Sequence, residues 1–73
     1  MNQELKAELE EKLQILKVEH KALDQRLVEI ESHLSMTPQE QVEAARIKKQ
    51  KLRKKDEMSV VETKLADLEK QGE

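Results

Sequence analysis

The sequence predicts an all-α fold, an antiparallel two-helix hairpin of coiled-coil type, and three observations predict it. Apolar residues of the first half recur at alternating steps of four and three, the signature of one helix face. At the middle of the chain, Thr37-Pro38-Gln39-Glu40 has the form of a helix start. Charged residues make up 41% of the chain while Gly and Pro occur once each, a composition that favours long helices over strands.

The first helix is expected over about residues 3–34. Its seam reads Leu9, Leu13, Leu16, His20, Leu23, Leu27, Ile30, Leu34, a heptad row with one polar insertion. A turn is expected at residues 35–37, because the Thr37 hydroxyl can accept the N–H of Glu40 while the Glu40 carboxylate accepts that of Thr37. Pro38 then stands at the first helical position, where a missing N–H costs nothing. The second helix is expected over about residues 38–71, with a seam of Ala44, Ile47, Lys51, Lys54, Met58, Val61, Leu65 and Leu68, and Gly72 as its stop. So short a connection makes the two helices antiparallel neighbours, and residues 1–73 form one domain.

Folding at that turn sets residue i roughly opposite residue 72 minus i. Leu27 and Ile30 then meet Ala44 and Ile47, and Leu9 and Leu13 meet Val61 and Leu65. Between these apolar ends lies a polar seam of His20, Asp24, Lys51 and Lys54, with Lys48, Leu52 and Lys55 close by. Such a layer lowers stability and fixes register. Helix 1 has a second apolar row, Ile15, Val18 and Ala22, turned away from the first. A two-helix hairpin covers only one row. The second is the candidate oligomer face, on which two hairpins would form a four-helix assembly.

Composition removes several functional classes. With no Phe, Tyr or Trp, the chain lacks the common anchors of ligand pockets and the platforms on which bases stack. With no Cys, disulfides and thiolate chemistry are excluded. His20 and His33 lie thirteen apart, outside metal-ligand spacings, so no metal and no cofactor is expected. Two helices offer no water-excluding cavity for a nucleophile and its base, so no catalytic residue is assigned and the chain is not expected to be an enzyme. The amino-terminal residues show neither a signal peptide nor a membrane span, which makes a cytoplasmic location the default expectation.

The strongest local deviation is the basic stretch 46–55: Arg46, Lys48, Lys49, Lys51, Arg53, Lys54 and Lys55, seven cations without an acid. Residues 1–34 carry eight acids and five bases, so the opposed helix offsets only part of this charge. These seven residues would be the phosphate contacts of a nucleic-acid-binding protein. Alternatively they are matched by acids across the hairpin or a dimer. The cations point all round the helix, and the chain as a whole is at −2.

Glu19-His20, Leu23-Asp24 and Leu27, followed by Arg46-Ile47-Lys48-Lys49-Gln50-Lys51-Leu52 and Lys55-Asp56-Glu57-Met58, resemble the YdcH-like short bacterial proteins, a family of unknown function. The resemblance covers about residues 13–62 and implies an antiparallel helical hairpin from a bacterium. It brings no catalytic residue and no cofactor. At Arg53-Lys54-Lys55 the chain departs from the family pattern, since Lys54 takes a seam position where an aliphatic residue is expected. The reading that results is a non-catalytic module for helical self-association, with a dimer favoured, or for contact with a protein partner. Its alternative is a small nucleic-acid-binding protein using residues 46–55.

Overall fold

The computed structural model describes residues 2–71, which form two helices and no strand: α1, Asn2–Glu31, and α2, Pro38–Gln71. They pack side by side as an antiparallel hairpin 55 Å long and 14 Å across. That length is close to the roughly 51 Å expected for the 34 residues of α2 at about 1.5 Å per residue. The expected stop at Gly72 lies outside the described residues.

The start of α2 is fixed locally. Thr37 Oγ1 accepts the Glu40 N–H at 3.1 Å, and the Glu40 carboxylate accepts the Thr37 N–H at 3.0 Å, closing the capping box. The Thr37 carbonyl accepts the first helical bond, from Gln41 N–H at 2.9 Å, and Pro38 opens the helix. Replacing Thr37 by alanine is expected to cost about 1 kcal/mol and to leave both helices in place. An unchanged thermal midpoint would show that the cap contributes nothing to the fold.

Helix α1 ends at Glu31, three residues before the expected Leu34, so the connection spans residues 32–37 rather than 35–37. At this end the Ser32 hydroxyl donates to the Glu29 carbonyl at 2.7 Å, taking up one of the acceptors of the last turn. The last turn then tightens, with His33 N–H donating to the Ile30 carbonyl at 3.2 Å. Leu34, assigned to the seam from its spacing, is consequently fully exposed. Met36 takes its place and packs on the core.

The core is small. Leu16, Leu27, Ile30, Ala44, Ile47 and Val61 are buried, and Leu27, Ile30, Ala44 and Ile47 make one cluster next to the connection, with Leu23 and Met36 against it. These are the contacts expected from antiparallel folding. Towards the open end Leu9 lies beside Val61, with Val61 buried and Leu9 partly so.

Candidate functional site

The helices carry charge where a longer seam would carry leucine, and ion pairs across the hairpin decide how much of that charge remains outward. Lys51 is partly buried and its ammonium binds the Asp24 carboxylate. Lys54, on the next seam position, reaches Glu19 at 3.3 Å. Lys48 was expected beside His20 and Asp24, but its ammonium lies 3.6 Å from Glu31, towards the connection. A long flexible stem follows the nearest acid, and the exposed flank of α1 presents one there. The polar seam therefore consists of the Asp24–Lys51 and Glu19–Lys54 pairs around His20, and His20 Nε2 is buried with no hydrogen-bond partner among the described residues.

Three of the seven cations of the basic stretch, Lys48, Lys51 and Lys54, are thus neutralised by acids of α1. Arg46, Lys49, Arg53 and Lys55 are exposed and have no salt bridge among the described residues. Lys51 and Lys54 lean into the seam, whereas Lys48 is itself exposed and reaches its acid through the length of its stem.

Two further contacts escaped the sequence analysis. Arg26 binds Glu43 across the hairpin through Nε at 2.8 Å and a second guanidinium nitrogen at 3.0 Å, and also reaches Glu29 at 3.2 Å. His33 Nδ1 lies 2.6 Å from Glu40, so one carboxylate serves both the helix cap and the connection. Both pairs lie near the expected facing of residue i with residue 72 minus i, His33–Glu40 within one residue and Arg26–Glu43 within three, but nothing in the sequence pattern singles them out among neighbouring charges.

These contacts shift the carboxylates downward. The Thr37 backbone N–H holds Glu40 below the ordinary glutamate range, with His33 adding a smaller effect. The Arg26 hydrogen bond does the same for Glu43, and Lys51 for Asp24, through its hydrogen bond and then its charge. Acids with depressed folded-state pKa values contribute stability above their unfolded pKa and lose it as pH falls through the folded value. Urea midpoints are therefore expected to hold from about pH 7 to 5 and to drop below about pH 4. Glu43→Gln should flatten that drop. A wild-type midpoint constant from pH 5 to about pH 3 would show that these exposed pairs contribute nothing to stability.

Outside the seam, the predicted second row of α1 is open to solvent, with Ile15 at 53% exposure, Val18 at 59% and Ala22 exposed. Ala22 and Leu23 also line an open groove between the helices, together with Glu19, Arg26, Arg53 and Glu57. A second groove farther along is lined by Leu9, Val60 and Val61. Among the described residues no group of three or more His, Asp or Glu side chains could hold a metal ion. No described helix is long and apolar enough to cross a membrane.

Fold and surface together define a small, highly charged helical hairpin with an uncovered aliphatic row. The chain belongs to the family described as "Protein of unknown function (DUF465)", which matches residues 13–62 and comprises small bacterial, YdcH-like proteins. The family resemblance, drawn from residues of both helices over about 13–62, is thereby established. No curated protein and no solved structure matches the chain.

Proposed function

We propose that this protein is a non-catalytic module that works by helical self-association and, through it, by contact with other proteins. The observation that carries the reading is the exposed row Ile15, Val18 and Ala22 on the face of α1 turned away from the hairpin seam. Six buried residues among those described make a thin core for a chain of this length, and packing a second copy on that row adds to it. Residues 46–55 support a different reading, phosphate binding, only through the cations that α1 leaves unpaired.

Association stabilises the folded form alone, so the melting temperature is expected to rise with protein concentration. Ile15→Lys with Val18→Lys should abolish that dependence and leave a less stable monomer. A wild-type melting temperature flat across roughly a hundredfold dilution, with monomer mass by light scattering, overturns the proposal.

A further inference from the structure

The outer face of α1 carries more than three aliphatics. Glu4, Glu8 and Glu11 precede Ile15, Val18 and Ala22 at the same alternation of four and three, so all six lie on one continuous stripe. The six residues are exposed, and none of the three acids has a salt bridge among the described residues. Helix α2 has a matching outer stripe, Val42, Arg46, Lys49 and Arg53, with the same alternation and likewise exposed. Its three cations belong to those that the acids of α1 leave unpaired. Like charges stacked at three- and four-residue spacing weaken a helix, so each stripe costs stability in the isolated hairpin.

We infer that the acidic stripe of α1 in one copy docks on the basic stripe of α2 in a second copy, antiparallel. The register that matches charge to charge pairs Glu4 with Arg53, Glu8 with Lys49 and Glu11 with Arg46, and the same register places Ile15 on Val42. This inference rests on the self-association reading and names the surface that meets Ile15, while Val18 and Ala22 fall opposite Gln39 and the connection. Charge complementarity on the chain itself selects the occupant. The basic stripe lacks aromatic side chains for stacking on bases, and the acids that complete it are supplied by an identical molecule at equal concentration.

The register also fixes the kind of assembly. Within the hairpin Glu19 meets Lys54 and His33 meets Glu40, whereas between copies Glu8 meets Lys49. The second copy therefore runs parallel to the first but is displaced along it by about sixteen residues, roughly 24 Å. Such a contact is heterologous: each copy uses α1 towards one neighbour and keeps α2 for the next. A dimer forms first, and larger oligomers follow as concentration rises.

Sedimentation velocity at several protein and salt concentrations tests this with the full chain, circular dichroism confirming helix content in each variant. The wild type should associate less as salt rises, because exposed charge pairs are screened. Glu4→Lys, Glu8→Lys and Glu11→Lys combined should weaken association at least about tenfold, as should Arg46→Glu, Lys49→Glu and Arg53→Glu combined, since each sets like charges opposite one another. Mixing the two triple variants should restore assembly, and so should joining all six changes in one chain. If the wild type associates and both variants associate equally well, the stripe pairing is wrong while self-association stands. A wild type that is monomeric throughout overturns both. If the mixture fails to recover, while the Arg46, Lys49 and Arg53 changes abolish binding of a fluorescent single-stranded RNA or duplex DNA, the occupant of the basic stripe is a nucleic acid and the inference falls.

Discussion

Ile30→Ala is expected to unfold most of the isolated hairpin. Among the described residues Ile30 is the one side chain with no solvent exposure, and it sits in the cluster of Leu27, Ala44 and Ile47 that joins the helices beside the connection. Truncating a fully buried isoleucine costs about 2–5 kcal/mol. Small domains have few kilocalories in reserve, so a loss of that size removes most of the stability available here. Val28→Ala, on the exposed side of the same turn, is the control and should change the midpoint little. Helix content by circular dichroism at equal concentration decides the matter. If Ile30→Ala melts within a few degrees of wild type, the cluster is not what holds the helices together.

That concentration of stability at one end explains which features could be read from sequence. The seam of α1 and the apolar meeting of Leu27 and Ile30 with Ala44 and Ile47 follow from periodicity and a short turn, both local signals. The capping box was legible because Thr37, Pro38 and Glu40 are neighbours, and their chemistry needs no tertiary context. Leu34 was misplaced for a related reason. Its spacing fits the heptad row, but the helix ends at Glu31 and tightens there before that spacing matters, and Met36 packs on the core instead.

The charged contacts were only partly legible. A basic run opposite an acidic helix can be foreseen, but which lysine meets which acid depends on register to a single residue and on which flank each side chain leaves the seam. Lys51 with Asp24 and the two-point Arg26–Glu43 pair each lie three residues from the facing rule, whereas Lys48 with Glu31 lies seven from it. Sorting the seven cations into paired and unpaired sets therefore required the fold. That sorting changes the functional argument, because a basic stretch half neutralised from within presents a narrower stripe than its sequence suggests.

Replacing His20 by leucine is expected to stabilise the hairpin. His20 occupies a seam position between the Glu19–Lys54 and Asp24–Lys51 pairs, and its Nε2 is buried with no hydrogen-bond partner among the described residues. A buried polar atom left unsatisfied costs about 1–3 kcal/mol, and an apolar group of similar shape removes that cost while adding apolar burial to a thin core. The gain should have the same order and appear as a higher urea midpoint near neutral pH. A polar residue on an otherwise apolar seam also disfavours alternative alignments, so the leucine variant is expected to associate into more than one species. Unfolding curves and sedimentation should therefore be measured on the same samples. A less stable variant would mean that the imidazole has a partner that the geometry does not reveal. A more stable variant with unchanged assembly would leave Asp24–Lys51 and Glu19–Lys54 as the determinants of register, with His20 contributing only its cost.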